Sequence, residues 1–191
     1  DVRVLPFPDL PFEVTAEVIE TLAEIIYEVR PHLVLTHGPY GGQRHGLMSI
    51  DPGEHGGVAV AMRRAMERAA TPDAETKRAP HQVAATYYTG ADFQNSDVDL
   101  FVDITDQAEN RVKAEILLTT QALTPEAAQK RIDIGSGNAG WIARTGYAEG
   151  WMRSRPEVGR YLTITDHDLE APEISRQELF ARLGARVTAE Q

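Results

Sequence analysis

Arg30-Pro31-His32-Leu33-Val34-Leu35-Thr36-His37-Gly38-Pro39 is the stretch whose reading decides the fold. The apolar run Leu33-Val34-Leu35 ends at Thr36-His37-Gly38-Pro39, so it reads as a buried strand running into a loop. Upstream, Thr15 has the character of an N-cap. Behind it Val18, Ile19, Leu22, Ile25, Ile26 and Val29 recur at three- and four-residue spacing until Arg30-Pro31 closes the pattern. That spacing predicts an amphipathic helix. Downstream lies a Gly-rich loop from Gly38 to His55, about 18 residues where a βα connection usually has 2 to 6. A second helix, over Gly56 to Ala70, follows with Val58, Met62, Ala65 and Met66 on one face.

Gln82 to Tyr88 and Leu100 to Ile104 read as further strands, separated by the polar stretch Gly90 to Asp99. A helix is expected from Asp106 through Gln121, with Val112, Ile116 and Leu117 on its apolar side. Thr124-Pro125-Glu126 has the order of a helix start: cap, first-turn proline, early acid. Ser175-Arg176-Gln177-Glu178 matches a capping box ahead of Leu179-Phe180. Helices alternating with apolar strands imply an α/β layered fold with a largely parallel sheet, whose ligands gather at the C-terminal strand ends. The loop from Thr36 to His55 is therefore where chemistry is expected.

With 191 residues, 42% hydrophobic and 25% charged, the sequence is expected to form one domain over 1–191 with a sizeable core. No run of apolar residues is long enough for a membrane span, and no basic-then-apolar secretory leader opens the chain. Because the sequence starts at Asp1 and not at methionine, an upstream piece is expected. Cysteine is absent, which leaves His, Asp and Glu as the strong metal ligands and fits a cytoplasmic location. A formal charge of -10 and a pI near 5.0 argue against a polyanionic partner such as nucleic acid. The oligomeric state stays open, a homo-oligomer among the options.

The stretch from Thr36 to His55 holds His37, His45 and His55, half of the six histidines, with Asp51 and Glu54. Neutral imidazole is a good zinc ligand, a second imidazole can hydrogen-bond a developing oxyanion, and carboxylates orient both. The bland alternative is a surface loop with incidental histidines. Elsewhere, Asp103 reads as a carboxylate behind a site or as a turn cap. Tyr147, Glu149 and Trp151 read as a pocket border or as packing. His32, His81 and His167 are expected at the surface or as caps, and Asp166-His167-Asp168 is not expected to bind metal.

The order of these pieces resembles the LmbE (PIG-L) superfamily of zinc-dependent amide deacetylases. Arg30 to Pro39, then the Gly-rich loop, then Glu54-His55 before an Ala-rich helix, is similar to that family's R-P-D-hydrophobic-T-H-x-P followed by H-P-D-H. Phe101-Val102-Asp103-Ile104-Thr105, Lys113, Thr120-Gln121 and Gly146-Tyr147-Ala148-Glu149-Gly150-Trp151 resemble its later motifs, and Val4-Leu5-Pro6-Phe7-Pro8-Asp9 an early one. The matching pieces are collinear over residues 2 to 152.

The resemblance implies a Rossmann-like, three-layer α/β/α fold with a mostly parallel sheet, a Zn2+ cofactor, and removal of an acyl group from a small N-acylated substrate of the amino-sugar kind. His55 matches the family's last metal-ligating histidine. Glu54 stands where the family has Asp and is a catalytic candidate. Pro52 stands at the ungapped position of the family's oxyanion histidine, so either that role is lost or His45 takes it. The family's A-H-P-D-D motif, which carries two zinc ligands and the general base, occurs nowhere in these residues. The chain is therefore expected to be the C-terminal part of such a deacetylase, lacking its N-terminal strands and inactive alone, with an upstream segment completing the site. A non-catalytic binding or assembly module of the same fold is the alternative. Nucleotide binding is disfavoured because no G-x-G-x-x-G or G-K-[ST] follows a strand.

Overall fold

A computed structural model describes residues 1–9, 11–38, 54–73, 77–89, 97–118, 120 and 124–185. The chain divides into two compact units, Asp1–Asp99 with Trp151–Pro156, and Leu100–Gly150 with Glu157–Gln191. The α/β class expected from the sequence is borne out.

In the first unit, α1 (Ala16–Val29) starts where Thr15 accepts a hydrogen bond from Val18 N. It stops at Arg30, which takes a left-handed φ of 50° and donates its N–H to Ile26 O. α2 (Glu54–Ala70) packs on α1 through Ala23, Ile26, Ala65 and Ala69, with Met62 and Met66 at the margin. The buried residues of α2 are Gly56, Ala59, Ala61, Ala65 and Ala69; of the expected stripe Ala65 is buried, Met62 and Met66 pack at its edge, and the rest of the buried face is made of small residues the sequence did not single out. Small side chains let the helix backbones approach, and the longer methionines fill the flanks. Arg68 braces the pair, reaching Glu20 at 3.0 Å and Asp73 at 2.8 Å, and Tyr27 Oη donates to the Arg68 carbonyl.

β1 (Leu33–His37) and β2 (Ala85–Thr89) run parallel, from Leu33 opposite Ala85 to His37 opposite Thr89. β2 starts later than the expected Gln82, where the His32 carbonyl accepts both Ala84 N and Ala85 N. The Trp151–Arg153 end of β4 (Ala148–Arg153) lies antiparallel to β2, with Tyr87 opposite Arg153. The expectation that β1 is wholly buried is corrected: Leu33 and Leu35 are 49% and 55% exposed, whereas Thr36 is buried. Alternate residues of a strand point to opposite faces, and among the described residues only one face of β1 is covered. His81 is also corrected. It is buried, and its Nε2–H donates to the Pro31 carbonyl at 2.8 Å.

In the second unit, β3 (Leu100–Asp103) leads into a 3-10 turn (Thr105–Gln107), α3 (Ala108–Ile116) and α4 (Pro125–Ala143). The Ala148–Gly150 half of β4, α5 (Asp166–Glu170) and α6 (Arg176–Leu183) complete it. The long helix expected from Asp106 to Gln121 is replaced by the turn and a shorter α3, so Leu117 falls past the helix end and is 78% exposed. Asp103 causes the tight entry. Its Oδ1 accepts from Thr105 N and Thr105 Oγ1, and its Oδ2 accepts from Thr145 Oγ1. Burial pushes the Asp103 pKa up, but these hydrogen bonds outweigh it and hold the carboxyl below its ordinary value.

Thr124 caps α4 as expected, accepting from Ala127 N, and Ser175 caps α6, accepting from Glu178 N. The core is Ala108, Val112, Ile132 and Tyr147, flanked by Ile104 and Ile116. Tyr147 is thus a packing residue, its hydroxyl donating to Asp133 Oδ1 at 2.9 Å. Glu149 is ion-paired with Arg111 at 3.1 Å.

Candidate metal centre

β1 ends at His37, and Glu54 and His55 are the first two residues of α2. Parallel pairing with β2 fixes the direction in which β1 delivers His37. At the other side, Phe12 packs over the start of α2 at Gly57, where an added Cβ would come within 2.6 Å of the Phe12 ring. That close approach sets the position of the helix's first turn. Glu54 there complements the helix dipole.

The two imidazoles meet. The rings of His37 and His55 stack with centroids 4.3 Å apart and planes 4° from parallel. The His55 side chain is 58% exposed, and its Nε2 lies 3.4 Å from Glu54 Oε1. His55 therefore sits at the mouth of the strand end and not in the core. His37 was legible as one of three loop histidines, but its pairing with His55 was not, because it depends on how β1 and α2 are set side by side.

The other loop residues singled out from the sequence, His45, Asp51 and Pro52, lie outside the described residues. Asp166-His167-Asp168 is a helix start: Asp168 accepts from Thr165 N and Oγ1 while Thr165 Oγ1 accepts from Asp168 N. Those bonds hold the Asp168 carboxyl below its ordinary pKa, the backbone N–H of Thr165 most of all.

A zinc ion lies in the plane of an imidazole that binds it, about 2.0 to 2.1 Å from the nitrogen. An exposed, carboxylate-flanked His55 fits one position of such a set. Because the His37 ring is parallel to it and stacked, an ion in the plane of His55 is out of the plane of His37, so the pair does not chelate one ion in this arrangement. Among the described residues no group of three His, Asp or Glu side chains is gathered as a complete ligand set.

No family model matches the sequence, and no curated protein matches it. Solved structures do. GalB, the 4-carboxy-2-hydroxymuconate hydratase of Pseudomonas putida, aligns over 82% of this chain with a TM-score of 0.62 and 18% identity. The conserved protein TT1542 of Thermus thermophilus aligns over 80% with a TM-score of 0.64 and 19% identity. The N,N'-diacetylchitobiose deacetylase of Pyrococcus horikoshii aligns over 77% with a TM-score of 0.57 and 16% identity. The chain shares its fold with these three proteins. It spans 66%, 65% and 54% of those three chains respectively. Among the described residues no helix is long and apolar enough to cross a membrane.

Proposed function

We propose that the protein is a zinc-dependent hydrolase that removes an acyl group from an amide nitrogen, acting on a small N-acylated conjugate of the amino-sugar kind. The observation that carries the reading is the placement of His55, an exposed imidazole in the first turn of α2 beside the end of β1, on a fold shared with a chitobiose deacetylase. Zinc held there supplies Lewis acidity, polarising the amide carbonyl and lowering the pKa of water.

The chain's own residues then have separate tasks. His55 would hold the ion, and Glu54, with Oε1 3.4 Å from His55 Nε2, would orient the ring. His45 donates a hydrogen bond to the oxygen on which negative charge develops. The remaining ligands and the general base come from outside the described residues. In this reading the chain is one Rossmann-like, three-layer domain working in the cytoplasm, and its charge of -10 suits a small substrate and not a nucleic acid.

The hydratase of the same fold supports a second reading, addition of water across an activated carbon–carbon double bond of a small carboxylated diene. Both reactions need an activated water, and they differ in product. Metal analysis of the full-length protein, paired with detection of amine released from N-acetylglucosamine conjugates, tests the first reading. Zinc in stoichiometric amount with amine release supports it. Bleaching of a 2-hydroxymuconate chromophore with no amine from any N-acyl sugar would replace it with the second, and neither activity would favour a binding module.

A further inference from the structure

We propose that the outward face of α4, together with Phe180 of α6, is the seat on which a second copy of this chain lays its segment 157–164, so that two copies exchange these segments about a twofold axis.

α4 is apolar on two opposite sides. Ala128, Ile132 and Gly140 are its buried residues, with Ile132 packed among Ala108, Val112 and Tyr147. Ile134 and Trp141, seven residues apart and so on one stripe of the helix, face the other way and are exposed. Phe180, also exposed, widens that stripe, its ring centroid 6.2 Å from that of Trp141. A helix with apolar residues on both sides is normally covered on both. The same unit carries a second uncovered apolar surface. Between β4 and α5 the chain runs without helix or strand, and there Val158, Tyr161, Leu162 and Ile164 are each at least 70% exposed. This segment is held at its end by the capping box of Thr165 with Asp168 and turns sharply at Gly159, where a Cβ would come within 3.1 Å of Tyr161 O. A segment shaped in advance gives up less freedom when it docks.

Charge and area both name the occupant. Two copies at -10 each repel, so they can meet only where charge is sparse. Residues 132–143 carry a single charged side chain, Asp133, already taken up by Tyr147 Oη and Gln129 Nε2. Residues 158–165 carry only Arg160, so the two stretches together are neutral. Seven exposed apolar side chains, at about 100 Å² apiece, offer about 700 Å² on each copy, within the range of one partner's share of a stable interface. Neither surface reaches that area alone. A second copy supplies both halves at once, its segment for this face and its face for this segment, which is the self-complementary contact of a twofold dimer.

Sedimentation velocity of the full-length protein reads the association for the wild type, Trp141→Glu, Leu162→Glu and a control, Leu117→Glu, which charges an exposed leucine outside both surfaces. Circular dichroism checks that each is folded. Leu162 is 98% exposed within its own copy, so its substitution reads association and not folding. The wild type and Leu117→Glu should be dimers at micromolar concentration, and Trp141→Glu and Leu162→Glu should each raise Kd by about 30-fold or more, as loss of a central interface residue does. An equimolar mixture of those two variants should regain dimers, because each mixed pair keeps one intact segment on one intact face. A monomeric wild type would overturn the proposal, and so would a dimer that survives both added charges. A mixture no more associated than its components would overturn the exchange of segments and place like surfaces against each other.

Discussion

Two glycines of α4 should respond to the same substitution with opposite signs. Gly140 is buried, and a Cβ built on it would lie 2.4 Å from Gly146 O, 2.7 Å from Gly146 C and 2.9 Å from Thr145 O. These are backbone atoms of the turn in which Arg144 takes a left-handed φ of 62° and Thr145 N donates to Gly140 O at 2.9 Å. Ordinary carbon contacts begin near 3.5 Å, so the turn would have to retreat by roughly 1 Å. Overpacking of that kind costs about 1 to 3 kcal/mol, and loss of the capping hydrogen bond a further 0.5 to 1.5, roughly. Against this stands a gain of about 1 kcal/mol from replacing glycine by alanine inside a helix. Gly140→Ala should therefore destabilise by about 1 to 3 kcal/mol. Gly135, on the same helix, is exposed and has nothing within 4 Å of its would-be Cβ, so Gly135→Ala should stabilise by about 0.5 to 1 kcal/mol. Urea denaturation followed by circular dichroism measures both, as midpoint shifts at a constant slope. A Gly140→Ala protein as stable as the wild type, or a shift of the same sign at both positions, would refute the packing described for the end of α4.

Asp103→Asn tests the turn that follows β3. The folded pKa of Asp103 lies below its ordinary value, so its contribution to stability is present above the unfolded pKa of about 4 and is lost as pH falls through the folded value. The stability difference between wild type and Asp103→Asn should hold steady above about pH 5 and shrink below about pH 4; a difference independent of pH down to acid unfolding would mean that the carboxylate charge is not what the turn uses. At the proposed active site, His45→Ala should lower kcat by about a hundredfold while zinc content stays at the wild-type level, since removal of one oxyanion donor acts on the transition state alone. Unchanged kcat and zinc content would make His45 an incidental loop residue.

Local chemistry was what the sequence disclosed best. Thr15, Thr124 and Ser175 each cap the helix assigned to them, because a cap is decided by a hydroxyl and a backbone N–H three residues on. The parallel pairing of β1 with β2 followed from the helix between them. What the sequence hid depended on neighbours distant along the chain. His81 looks like any surface histidine until the Pro31 carbonyl is seen against it. The buried face of α2 is a line of alanines, which a search for large apolar side chains passes over. Leu33 and Leu35 have the composition of a buried strand, and their exposure reflects which layers cover β1. At the candidate site, the motif setting singled out Glu54 and His55, which are the first two residues of α2. The stack of His37 on His55 was not legible, since no pattern in sequence encodes the meeting of a strand end with a helix start.

The central claim is that His55 belongs to a zinc site serving amide hydrolysis. The most direct measurement is the rate of amine release from an N-acetylglucosamine conjugate by the full-length protein, before and after chelation and again after zinc is restored, for the wild type and His55→Ala in parallel. The account predicts that chelation abolishes the wild-type rate, that zinc restores it, and that His55→Ala is inactive in every state while remaining folded. A His55→Ala protein that releases amine at the wild-type rate, or a wild type indifferent to removal of its metal, would contradict it.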